Sequence, residues 1–98
     1  MTSERRKLPT RRAHSVRSFA YEGRRYVAGL GYFPGGELGE IFLDVEGRVG
    51  SEVAEHAATT AILVSMLLQM GVKPSAISHS ITGPVAWLLA HLDTERMP

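Results

Sequence analysis

Gly36–Gly83 reads GELGEIFLDVEGRVGSEVAEHAATTAILVSMLLQMGVKPSAISHSITG, and the order of its elements decides the fold. Glu40–Val45 alternates: Ile41, Leu43 and Val45 point one way, Glu40, Phe42 and Asp44 the other. That period of two predicts a strand in a sheet with one wet face. Glu46-Gly47-Arg48-Val49-Gly50 is a loop. Ser51 then suits a helix N-cap, with Glu52 and Glu55 at the positive end of the dipole. The helix should run to Met70, with Gly71 as the residue that leaves it in a left-handed conformation. Pro74 fits the first position of a short helix ending near Gly83.

Upstream, Val16, Phe19 and Tyr21 sit among polar residues and predict a first strand over 14–21. Glu22-Gly23 is a two-residue turn, although Glu fits a left-handed position poorly. Arg24–Phe33 is the second strand, with Tyr26, Ala28, Leu30 and Tyr32 on one face and Val27, Gly29, Gly31 and Phe33 on the other. Gly29 and Gly31 leave room for a helix or another backbone to approach. Pro34-Gly35-Gly36 ends that strand. Downstream, Pro84 restarts a helix whose apolar stripe is Val85, Leu88, Leu89 and Leu92. The expected fold is α+β: a three-stranded antiparallel β-meander packed against two or three helices, in the order βββααα. Residues 1–13 lack apolar periodicity and read as a basic disordered arm. The domain should occupy 14–93, with 94–98 as a C-terminal tail.

A chain of 98 residues with 44% hydrophobic residues is one domain with a modest core. It holds no cysteine, which removes disulfides, thiol nucleophiles and thiolate metal sites. No apolar h-region follows the basic start, and the longest uncharged stretch, Ala57–Val72, is shorter than the ~20 apolar residues of a membrane span. A soluble cytoplasmic protein without a membrane partner is the expectation. Net charge is +1, but residues 1–25 hold eight Lys/Arg and two Glu, whereas 26–98 hold three Lys/Arg and eight Asp/Glu. A basic arm precedes an acidic body.

Several segments carry a resemblance to a known family. Glu37-Leu38-Gly39-Glu40-Ile41-Phe42 stands for a strand of the type G-[RK]-[PL]-x-E-[IV]-F. Gly47-Arg48-Val49-Gly50-Ser51 matches a glycine-rich turn. Ala61-Ile62-Leu63-Val64-Ser65-Met66-Leu67-Leu68 with Gly71-Val72 matches a helix of small residues, a serine and paired leucines. Pro74, Ile77, Ile81 and Gly83 fit the short helix that follows. Over roughly residues 16–83 the chain thus resembles the TSCPD domain, an accessory module near the C-terminus of adenosylcobalamin-dependent ribonucleotide reductases that also occurs as small free-standing proteins. The Thr-Ser-Cys-Pro-Asp signature and any cysteine-rich tail are absent. The resemblance implies a non-catalytic accessory or binding module in the ribonucleotide-reductase orbit, with a reductase large chain as a partner. It carries over no catalytic residue, and without thiols the chain is not expected to be an enzyme. An in-trans reductase subunit is one alternative. A small nucleic-acid-associated protein is the other.

Each candidate site has a plain structural reading beside it. Arg5, Arg6, Lys7, Arg11 and Arg12, with Arg17 beyond, supply enough charge to contact several phosphates, without sequence preference because the arm has no aromatic to stack bases. Against that stands a solvated leader. Arg24, Arg25 and Tyr26 beside the turn suit a nucleotide's phosphate and base, or are ordinary hairpin charge. Glu52 and His56 are spaced i, i+4, with His79 further on, but they read as solvent-facing helix residues; no metal and no cofactor are expected. Ser65 should bond back to a carbonyl. In the long helix, Ala57, Ala61, Val64 and Leu68 cover the sheet. Ile62, Leu63, Met66, Leu67 and Met70 are then too many for one half-buried face. Either the helix from Pro84 covers them, or another subunit does and the protein is a homodimer.

Overall fold

Turn chemistry sets the sheet. The computed structural model describes residues 4–47 and 50–94; Arg48 and Val49 of the expected glycine turn, residues 1–3 of the arm and 95–98 of the tail lie outside them. Six elements follow in order: β1 (His14–Tyr21), β2 (Arg24–Tyr32), β3 (Leu38–Val45), α1 (Glu52–Gln69), α2 (Pro74–Ser80) and α3 (Pro84–Thr94). The strands pair antiparallel in the order β1-β2-β3. This is the expected βββααα α+β fold.

Glu22 and Gly23 both take positive φ, 47° and 79°. That is the mirror-image turn whose twist matches the flanking strands. Glu22 is the one non-glycine residue with positive φ among those described. At the other hairpin, the Phe33 amide donates to the Glu37 carbonyl (2.8 Å) and the Gly36 amide to the Phe33 carbonyl (2.8 Å). The register shifts between Gly31 and Tyr32, and β3 begins at Leu38, two residues before the alternation predicts.

The pleat sorts the side chains as the alternation requires. Phe19, Tyr26, Ala28, Leu30, Tyr32, Ile41, Leu43 and Val45 form the sheet's contribution to the core. Helical residues Ala57, Ala61, Val64, Leu68, Ile77, Val85, Leu88 and Leu89 close it. The outer sheet face is wet. There Val16, Gly29 and Phe42 form one cross-strand row, with Val16 and Phe42 exposed. No helix approaches Gly29 and Gly31 as the sequence suggested. A Cβ at Gly31 would overlap the Glu40 carboxylate, and one at Gly29 would meet His14 and Phe42. The glycines make room for side chains of their own sheet.

Helix ends follow the capping residues. The Ser51 hydroxyl accepts from the Ala54 amide at 3.1 Å. At the far end the Gly71 amide reaches Leu68 O (3.0 Å) and the Val72 amide Leu67 O (3.0 Å), with Gly71 at φ 93°. That crossed pair satisfies carbonyls the helix cannot. α2 stops at Ser80, short of the expected Gly83, and Gly83 with φ 104° turns the chain into α3. α3 lies beside β1: Trp87 stacks on Phe19 at 5.1 Å, and Phe19 on Tyr26 at 5.3 Å.

Candidate functional site

α1 has two faces of opposite fate. Its inner face carries Ala57, Ala61, Val64 and Leu68, all buried. The two alanines let the helix approach β3 closely. Two polar residues on this side, Ser65 and Gln69, are also buried. The Ile41 amide donates to Ser65 Oγ (2.8 Å), and the Ser65 hydroxyl points at both Ile41 O (3.2 Å) and Ala61 O (2.7 Å). Gln69 Nε2 donates to Gly39 O at 2.9 Å. An edge strand presents unpaired backbone groups; here α1 side chains satisfy them. The serine does bond back to a carbonyl, as expected, and also serves β3. The signal that escapes periodicity is the i, i+4 polar pair in an otherwise apolar helix.

The outer face is apolar and is not covered by the described residues. Ile62 is 57% exposed, Leu63 56%, Met66 41%, Leu67 43% and Met70 40%. Val72, just past the helix, extends the patch. The helix from Pro84 does not cover it. Val85, Leu88 and Leu89 are wholly buried in the core instead. All five residues singled out in the sequence therefore share one exposed strip. The strip ends at the N-terminal half of α1, where Glu52, Glu55, His56 and Thr59 are exposed.

The basic arm over residues 4–13 has no helix or strand, yet it is seated on the body. Arg12 forks onto Glu40 (Nε–Oε1 2.8 Å, Nη2–Oε2 3.1 Å) and also reaches Pro9 O at 2.7 Å. Arg6 donates its amide to Gln69 O (2.7 Å), pairs with Glu37 (2.9 Å) and lies over the Phe33 ring at 3.8 Å. Arg5 Nε bonds Gln69 Oε1. Leu8 fills the space that the missing Gly39 side chain leaves. The reason is charge and shape: Glu37, Glu40 and a glycine at 39 offer the arm a complementary seat. Three of the six cations considered for nucleic acid are thus held by the protein itself. Lys7 and Arg11 are exposed, and Arg17 lies within β1.

Arg24, Arg25 and Tyr26 do not converge. Arg25 points to the outer face and pairs with Glu46 at 3.1 Å. Tyr26 is 3% exposed, and its ring is taken by Phe19. The Arg24 Nε is buried without a hydrogen-bond partner among the described residues. A base stacked on Tyr26 and phosphates held by both arginines would need opposite faces of one strand. Glu52, His56 and His79 are exposed on α1 and α2. Among the described residues no three His, Asp or Glu come together as metal ligands. No described helix is long and apolar enough to cross a membrane.

No known family model matches the chain, and no solved structure matches it.

Proposed function

We propose that this protein is a non-catalytic accessory or binding module that works as a homodimer through the outer face of α1. The observation that carries the reading is the strip from Ile62 to Met70: five large apolar side chains, each at least 40% exposed, on one side of one helix. Contiguous apolar patches on soluble proteins mark interaction sites. Covering such side chains contributes up to ~1.5–3 kcal/mol each when burial is complete. The strip suits a second copy. Two α1 helices packed antiparallel about a two-fold axis near Leu63 and Met66 bury the same residues on both sides. That arrangement also sets the acidic start of one helix, Glu52 and Glu55, near Lys73 and the basic arm of the other, so charge and apolar complementarity agree.

The accessory role rests on the resemblance to the TSCPD domain. By that resemblance the dimer serves a ribonucleotide reductase large chain. Leu67→Glu tests the assembly. Leu67 is exposed in the protomer, so the variant should keep its helix content and run as a monomer. A variant that stays dimeric contradicts the use of this face. Adding a purified cobalamin-dependent reductase chain tests the partner: one joint sedimenting species supports it, and separate species contradict it.

A further inference from the structure

We propose that the open edge of β1 pairs with β1 of a second copy, antiparallel about a two-fold axis at Ser18, so that two three-stranded sheets join into one. The sheet has two edges and treats them differently. At the β3 edge, Ser65 meets both backbone groups of Ile41, and Gln69 meets Gly39 O. At the β1 edge no such cover is present among the described residues.

The ladder shows which groups are open. The Tyr32 amide donates to Ala13 O at 3.0 Å. Antiparallel bonding then alternates along the register that ends at Tyr21 and Arg24. Ser15, Arg17, Phe19 and Tyr21 therefore bond to β2, whereas His14, Val16, Ser18 and Ala20 turn their backbone N–H and C=O groups outward. Among the described residues no hydrogen bond reaches those outward groups. Sheet edges are normally blunted by shortness, proline, bulges or charge. β1 runs 8 residues, has no proline or glycine, and keeps an unbroken register with β2. Its one permanent charge, Arg17, points to the inner face with Phe19.

The strand fits itself. A two-fold axis normal to the sheet keeps both inner faces on one side, so directly opposed residues share a face. Centred on Ser18, the outer face sets Val16 against Ala20 and, at both ends, exposed His14 against exposed Glu22 of the second copy. A register centred on Arg17 sets Arg17 against itself, and like charges directly opposite disfavour it. On the outer face Val16 is 70% exposed, and Ser18 and Ala20 are small and exposed, so no bulky side chain of β1 bars the approach there. The edge lies across the sheet from α1, which packs on β3, and pairing leaves the α1 face free. A single strand pair is a small contact, below the ~1,200 Å² of standard interfaces, and therefore weak.

The test is amide hydrogen exchange by NMR on the full chain at two concentrations. Between about 20 µM and about 1 mM, exchange of the Val16, Ser18 and Ala20 amides should slow about fourfold, as a Kd of ~0.1 mM gives. Ser15 and Phe19, already bonded to β2, should not change. No slowing with concentration, or equal slowing at Ser15 and Phe19, overturns the strand pairing. Ser18→Lys and Ser18→Glu place a charge on the exposed outer face, where the fold tolerates it. Each alone should lose the slowing, because like charges meet at the axis, and an equal mixture of the two should restore it. Variants that keep the slowing, or a mixture that does not recover it, overturn self-pairing in this register. Slowing that ignores chain concentration but follows an added Thr-Val repeat peptide overturns the second copy and assigns the edge to a foreign strand. The readout is the β1 amides, not the mass, and Leu67→Glu should leave it unchanged, so this contact and the α1 dimer fail separately.

Discussion

The outer face of α1 carries more apolar side chain than the inner face, and the two end in opposite environments. The inner face runs from small residues, Ala57 and Ala61, to larger ones, Val64 and Leu68, and all are buried. The outer face from Ile62 to Met70 has only large ones, and all are exposed. The difference shows that α1's stability comes from close approach to β3, made possible by alanine and by two polar side chains that answer an open strand edge. The outer face adds little to the protomer's fold. Its side chains gain only when something covers them.

Breaking the inner face should have the largest effect. Leu68→Ala should cost ~2–4 kcal/mol in chemical denaturation, because the buried site leaves a cavity. Leu63→Ala, on the outer face of the same helix, should cost under ~0.5 kcal/mol once the protein is diluted to the protomer. Comparable losses for the two would mean that the faces are not distinct. Ser65→Ala comes next, at ~1–3 kcal/mol, because it orphans the buried Ile41 amide. Hydrogen exchange at that amide should rise with it, and unchanged protection would contradict the edge-capping role. Arg12→Ala should cost ~1–2 kcal/mol by leaving the half-buried Glu40 carboxylate without its fork. If thermal melting does not move, the arm's seat contributes nothing to the fold. The smallest change is a gain. Glu22→Asn should add ~0.5–1 kcal/mol, since Asn tolerates the left-handed turn position that Glu22 occupies. A neutral or negative result would place the turn's strain elsewhere.

Much of this was readable from local chemistry. The alternation at Ile41, Leu43 and Val45, the cap at Ser51, the exit at Gly71 and the restart at Pro74 and Pro84 are short-range signals, and each sits where the residues require. The fold class follows from their order. The surplus on α1 was readable as a count of apolar residues. Which surface α3 covers was not, because the stripe Val85, Leu88, Leu89 fixes only that α3 buries one side. The seat of the arm was also illegible. Arg6 and Arg12 meet Glu37 and Glu40 from 31 and 28 residues away, and a run of cations beside a proline carries no trace of such partners. Tyr26 is the reverse case. Its alternation with Ala28 and Leu30 placed it in the core, which conflicts with a base-stacking role, and the core position prevails because Phe19 lies opposite it.

The central claim is that the outer face of α1 is covered by a second copy. The mass of the unmutated protein in solution tests this most directly. Light scattering at tens of micromolar should give about twice the 10.7 kDa of one chain, falling toward a single chain on dilution. A mass that stays at 10.7 kDa across that range would contradict the account.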